Sequence, residues 1–251
     1  MSVQWKSPAI GLAPYGYPSG LSIARQTYPA GVMILRQGDA SSAVYLLDRG
    51  IIKKVYGYDN GDEVILNFSG GGCAYGATAA AEIQVEEAVV TVTKCAVYVL
   101  SIGVFKELLT TDAEFRQRLY QALSRELYEQ NQRLAQLRFG DARARLENLL
   151  WRFIGLLGLD AKQANLKLQL PIQQYEIAAY IDTDPTYVSK LMRRLQNDEV
   201  IRRDKGWLII PEPQRLRHLP DALAPVQDWH CTSAISGLQQ CNDKSAAVSV
   251  R

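Results

Sequence analysis

Near Ser101 the hydrophobic repeat changes from two residues to about 3.6, and this switch divides the chain into a strand-rich part and a helix-rich part. Between residues 23 and 100, short β-branched and aromatic runs (VMILRQGD, VYLLDRG, IIKKVYGY, DNGDEVILNF, VVTVTKCAVYVL) alternate with glycine-bearing turns. That spacing predicts an all-β sandwich or roll. Gly38-Asp39, Asp59-Asn60-Gly61 and Gly70-Gly71-Gly72 carry turn chemistry, because glycine and asparagine accept positive φ at little steric cost. Asn60-Gly61 predicts a hairpin between 51–58 and 63–68.

Beyond Ser101 a short helix over 104–109 should lead into a long one from near Asp112. In the long helix Tyr120, Leu127 and Leu134 recur every seven residues, and Leu123, Gln130 and Leu137 follow three positions later. These are the a and d positions of three heptads, with Gln130 as the one polar member. Either the seam meets a second copy, or the helix packs on its own domain. A polar residue that fixes register inclines the reading toward a dimer. Phe139-Gly140-Asp141 then breaks the helix, glycine supplying the turn and Asp141 the next N-cap. The following helix puts Leu146, Leu149, Leu150, Phe153 and Leu157 on one stripe, which belongs to a core.

The most informative segment is PIQQYEIAAYIDTDPTYVSKLMRRLQNDEVIRRDKGWLIIP, from Pro171. It predicts a helix over 172–180, a tight turn through Ile181, Asp182 and Thr183, and a second helix over 185–197, which together form a helix-turn-helix. Asp184 before Pro185 is a strong start signal, an aspartate cap followed by proline at the first helical position. On the second helix Val188, Leu191, Met192 and Leu195 share one face and should pack on Ile177, Ala178 and Ile181. Thr186, Ser189, Lys190, Arg193 and Asn197 share the other. A face with donors, positive charge and no carboxylate suits phosphates and base edges in a major groove, although a cationic face is more often only solvated. Residues 200–203, the turn Asp204-Lys205-Gly206 and 207–210 predict a β-hairpin wing, with Lys205 near the backbone of a duplex.

Composition excludes more than it selects. The two histidines, His218 and His230, both come late, so the β-part cannot hold a histidine metal cluster. Cys73, Cys95, Cys231 and Cys241 form no CxxC pair, which argues against a zinc site or a redox dithiol. We expect no metal and no cofactor. No nucleophile elbow, phosphate loop or HExxH is present, so an enzyme is not expected. There is no long apolar run and no basic-then-apolar N-terminus, and the expected location is the cytoplasm without membrane contact. The net charge of +2 is too small to decide for or against nucleic acid.

Over about 28–216 the chain resembles the Crp/Fnr family of bacterial transcription regulators. YPAGVMILRQGD, VYLLDRG and GDEVILNF look like that family's cyclic-nucleotide-binding β-roll, 112–137 like its central dimer helix, and IQQYEIAAYIDTDPTYVSKLMRRLQNDEVI like its helix-turn-helix. The resemblance implies an α+β chain: an N-terminal antiparallel β-roll sensor over 20–110, a central dimerisation helix over 111–139, and a C-terminal winged helix-turn-helix DNA-binding domain over 140–220. The tail over 221–251, rich in Ser, Ala, Gln and Asp, should be loosely ordered. The implied partners are double-stranded DNA with a pseudo-palindromic site, a second copy forming a homodimer, RNA polymerase, and an unidentified small-molecule effector. Activation and repression both remain open.

Carried over position by position, the family's base-contacting sites fall on Pro185, Thr186 and Lys190. Thr186, Ser189, Lys190 and Arg193 are the candidate readers, and Tyr187, Arg194 and Lys205 the candidate phosphate contacts. The seam would comprise Tyr120, Leu123, Leu127, Gln130, Leu134 and Leu137. The effector pocket would involve Gly76, Ala77, Thr78, Glu86 and Glu87, with Gln130 and Asn131 from the dimer helix. Cyclic-nucleotide-binding relatives hold ribose and phosphate with Gly-Glu and Arg-Ser. Here those positions are Gly76-Ala77 and Glu86-Glu87, and two carboxylates would repel a phosphodiester. The effector is therefore expected to differ from cAMP. No cysteine precedes Cys73 and no histidine lies in the β-part, which departs from the iron–sulfur and haem members. Thiol sensing through Cys73 or Cys95 stays open. The competing reading is an effector- or protein-binding module whose degenerate winged helix does not bind DNA.

Overall fold

The structure, a computed structural model, describes residues 23–59, 61–81, 83 and 87–216. Eight strands precede the first long helix: β1 (Ala24–Tyr28), β2 (Met33–Leu35), β3 (Ala43–Arg49), β4 (Ile51–Gly57), β5 (Glu63–Gly70), β6 (Ala74–Tyr75), β7 (Ala88–Thr91) and β8 (Cys95–Ser101). They form two antiparallel four-stranded sheets, β1-β8-β3-β6 and β2-β7-β4-β5. The expected hairpin is present, with β4 and β5 paired from Ile51↔Gly70 to Gly57↔Glu63. Its Asn60 lies outside the described residues.

Strand alternation explains the core. Leu35, Leu47, Ile52, Tyr75, Val89, Cys95 and Val97 fill the space between the sheets. A second cluster, including Val44, Leu46 and Leu100, receives Phe105 and Leu108 of α1 (Ile102–Thr111) and Phe115 and Leu119 of α2 (Ala113–Phe139). Asp112 separates these helices and caps the second, its Oδ1 accepting from the amide of Phe115 at 2.9 Å.

The break after α2 falls at Gly140 for a reason other than the turn expected from sequence. Gly140 is extended, at φ −85°, not left-handed. What requires glycine is space, since a Cβ there would lie 2.7 Å from the carbonyl oxygen of Gln136. Asp141 then caps α3 (Ala142–Leu156) by accepting from the amide of Ala144 at 2.7 Å. The stripe of Leu146, Leu149, Leu150 and Phe153 is fully buried, and Leu157 packs at its edge.

The C-terminal elements are β9 (Leu166–Leu168), α4 (Gln174–Ile181), α5 (Pro185–Asn197), β10 (Arg202–Asp204) and β11 (Trp207–Ile210). The wing is a three-stranded sheet, β10-β11-β9, and the sequence reading missed β9. LKL is too short for alternation to stand out from a loop, and only its pairing with β11 makes it a strand. The wing hairpin starts at Arg202, with Val200 and Ile201 buried ahead of it rather than in the strand. One apolar cluster joins α3, α4 and α5 to Ile51, Val55, Ile65 and Phe68 of β4 and β5, with Phe68 packed on Phe153 and Tyr180 at ring distances of 5.2 Å. The expected loose tail over 221–251, with His230, Cys231 and Cys241, lies outside the described residues, as does His218.

Candidate nucleic-acid interface and sensor pocket

The geometry of α4 and α5 follows from capping and one left-handed residue. Glu176 returns to the start of α4, its Oε2 accepting from the amide of Gln173 at 2.7 Å. Asp182 ends that helix at φ 54° and ψ 67°, a conformation that short polar side chains tolerate. Asp184 Oδ1 accepts from the amide of Tyr187 at 2.8 Å, and Pro185 occupies the first turn of α5. Val188, Leu191, Met192 and Leu195 are buried, along with Ile177, Ala178 and Ile181 opposite them. At about 1.5–3 kcal/mol for each fully buried aliphatic side chain, this face fixes the rotation of α5.

That rotation leaves Thr186, Ser189, Lys190, Arg193, Arg194 and Asn197 exposed. Among the described residues, no carboxylate pairs with Lys190, Arg193 or Arg194. Two candidates differ from the rest. Tyr187 is half-buried against the core. The Ser189 hydroxyl already donates to Gln174 Oε1 at 2.9 Å, which ties α5 to α4. On the wing Lys205 is exposed at the hairpin tip at φ 45°, beside exposed Arg202 and Arg203.

Along α2, Tyr120, Leu123, Leu127 and Leu134 are exposed at 73%, 43%, 59% and 64%. The chain itself leaves this apolar row uncovered. Gln130 is exposed within the row and Leu137 is half-buried at its end. The opposite side of α2 faces the chain: Arg133 donates to the carbonyls of Leu66 at 2.6 Å and Tyr180 at 2.8 Å and lies over the Tyr180 ring. Glu129 accepts from Arg152 of α3, which also donates to the Phe68 carbonyl.

In the predicted effector region Gly76 has φ +72°, and a Cβ there would approach the Ala43 carbonyl to 3.0 Å, so the turn into the short 3-10 helix Ala77–Ala81 requires glycine. Ala77 is half-buried and Thr78 exposed. Glu86 lies outside the described residues. Gln130 and Asn131 are exposed, and no hydrogen bond joins them to Gly76, Ala77, Thr78 or Glu87 among the described residues. The sequence reading missed the central charge, Lys54. It is 6% exposed, its Nζ is 3.3 Å from Glu87, and it is hydrogen-bonded to Glu126 of α2. Burial alone would lower the Lys54 pKa, but Glu126 and Glu87 outweigh it and raise the group above its usual value. Two lysines inside the apolar run IIKKV were the available signal, and strand alternation sends them to opposite faces.

Cys95 is buried and Cys73 half-buried. Burial pushes Cys73 up to about 12 and Cys95 up to about 11. Both therefore stay protonated at neutral pH, which disfavours thiolate sensing. Among the described residues no group of His, Cys, Asp and Glu is arranged to hold a metal, and no helix is long and apolar enough to cross a membrane.

Two family models match the chain. A cyclic nucleotide-binding domain covers residues 25–112, and a Crp-like helix-turn-helix domain covers residues 144–219. Solved structures with the same fold include the c-di-GMP responsive global regulator CLP of Xanthomonas campestris, 18% identical, TM-score 0.63, over 75% of this chain and 93% of that one. FixK2 of Bradyrhizobium japonicum is 16% identical, TM-score 0.67, over 78% and 96%. A CRP/FNR family transcriptional regulator of Thermus thermophilus is 19% identical, TM-score 0.64, over 77% and 96%. Comparison with curated proteins finds no match. With both characteristic domains in the family's order, the chain belongs to the Crp/Fnr family and has the build of its transcription regulators.

Proposed function

We propose that the chain is a sequence-specific DNA-binding regulator that works as a homodimer in the cytoplasm, without catalytic activity and under an effector regime other than cAMP. One observation carries this: the face of α5 with Thr186, Lys190 and Arg193 is open and free of carboxylates, while its other face is locked onto α4. Thr186, Lys190 and Arg193 read base edges. Arg194 and Lys205 contact phosphates, and Tyr187 sets the entry angle of α5 while presenting its hydroxyl to the backbone. Ser189 serves chiefly as the brace to Gln174.

The open row on α2 supports a second copy as its occupant, giving two recognition helices about 34–36 Å apart on one side of a duplex. RNA polymerase is then the natural further partner of a DNA-bound dimer. The alternative, a winged helix that only contacts protein, lacks support from the α5 face and from the helix-turn-helix family match. Selection of bound fragments from random duplex DNA tests the proposal. The expected result is a two-fold symmetric motif with half-sites about 10 base pairs apart, and a pool that stays random at low salt would refute it.

A further inference from the structure

Lys53 and Lys54 are neighbours in β4, and a strand sends neighbouring side chains to opposite faces. Lys54 shares the face of Ile52, which packs between the two sheets of the roll. Lys53 shares the face of Ile51 and Val55, which pack toward α3, α4 and α5. Each ammonium therefore has its own acidic partner or partners. Within the roll Lys54 bridges Glu87, on the segment leading into β7, and Glu126 of α2. On the outer face Lys53 Nζ donates to Glu176 Oε1 at 2.7 Å, and the second oxygen of Glu176 caps α4. One short stretch of β4 thus holds the sensor wall, the dimer helix and the first helix of the helix-turn-helix.

In relatives that bind cyclic nucleotides, the ligand's phosphate is the anion and the protein wall supplies the cation. Here an acid, Glu87, stands at the second of the Arg-Ser positions and the chain supplies both signs: Glu87 ahead of β7, Glu126 on α2, and Lys54 of β4 between them. A phosphodiester entering this space would have to break a buried pair and would meet two carboxylates. We infer that Lys54, Glu87 and Glu126 form a built-in strut that takes the place of an anionic effector. With the Lys53–Glu176 tie, it sets the pose of the helix-turn-helix in the ligand-free chain. The inference rests on the regulator reading above and states how that site is controlled.

The test uses the ligand-free full chain with two charge-free replacements, K54M/E87Q/E126Q and K53M/E176Q, since a single loss would leave a buried charge and threaten folding. Glu176→Gln keeps a side chain able to cap α4. Hydrogen exchange over 172–183 is the readout that needs no DNA, and affinity for the selection-enriched duplex is the second. Wild type should bind that duplex without nucleotide, and about 1 mM cAMP, cGMP or c-di-GMP should change its affinity less than about twofold. Both replacements should speed exchange in α4 about tenfold and weaken duplex binding at least about fivefold. Glu126→Gln alone, which keeps the side chain's shape, should move both readouts in the same direction. Unchanged exchange in all three variants would overturn the strut, as would a nucleotide that tightens wild-type binding about tenfold. A wild type that binds no duplex would defeat the regulator reading, and exchange in α4 would still decide the strut.

Discussion

The cations of β4 and those of α5 are the same residue types in opposite circumstances. Lys53 and Lys54 are at least largely buried and each is matched to carboxylates, whereas Lys190 and Arg193 are exposed with no acid pairing them among the described residues. A paired cation inside a protein fixes geometry. An unpaired cation on a rigid helix face is available to an outside anion, and the phosphodiester backbone is the anion that a helix-turn-helix approaches. The net charge of +2 conceals this contrast, because it adds together charges that hold the chain in shape and charges that face outward.

The largest effect should come from breaking the internal side of the contrast. Lys54→Met leaves Glu87 and Glu126 without their cation and should lower stability by about 3 kcal/mol, read as a shift in the denaturation midpoint. The charge-free triple variant should lose much less. Leu127→Asp places a carboxylate in the exposed seam of α2, and sedimentation should show the dimer weakened by about 2 kcal/mol or more while the monomer stays folded. A variant dimer as stable as wild type would mean that the row on α2 is not the contact between copies.

On the outward side, Arg193→Ala should cost about 1–3 kcal/mol in binding to the enriched duplex and leave the denaturation midpoint unchanged. Equal loss on enriched and scrambled duplexes would demote Arg193 from reader to phosphate contact. Asp184→Ala removes the cap that starts α5 and should cost about 1 kcal/mol of stability, with a smaller loss in DNA affinity. The smallest expected change concerns Cys73. Its pKa rises from an ordinary value near 9 to about 12, so its alkylation at pH 8 should run about a thousandfold slower than that of a free thiol, and mild oxidant should leave DNA binding unaltered.

Sequence and structure agree best where a local rule suffices. The Asp184-Pro185 start, the buried row from Val188 to Leu195 and the β4–β5 hairpin each follow from capping, period or turn chemistry within a dozen residues. The open row on α2 was legible for the same reason, as a heptad pattern. What stayed hidden depends on contacts distant along the chain. Lys53 meets Glu176 across 123 positions and Lys54 meets Glu126 across 72, and neither pairing leaves a periodic trace. The reason for Gly140 was likewise invisible, because a carbonyl four residues back, rather than a turn type, excludes the side chain. Glu87 stood out in the sequence as an acid at the second position of the Arg-Ser pair, but its partner did not, since the lysine that answers it lies in β4.

The central claim is that α5 presents the DNA surface while β4 only holds the frame. Its most direct measurement is the salt dependence of binding to the enriched and scrambled duplexes for wild type, K190A/R193A, R194A/K205A and the paired replacement K53M/E176Q. K190A/R193A should lose most of the preference over scrambled duplex, whereas R194A/K205A should flatten the log–log salt slope by about 1 for each phosphate contact removed. K53M/E176Q should keep the wild-type slope. If K190A/R193A retained its preference for the enriched duplex, the exposed face of α5 would not be where DNA is read.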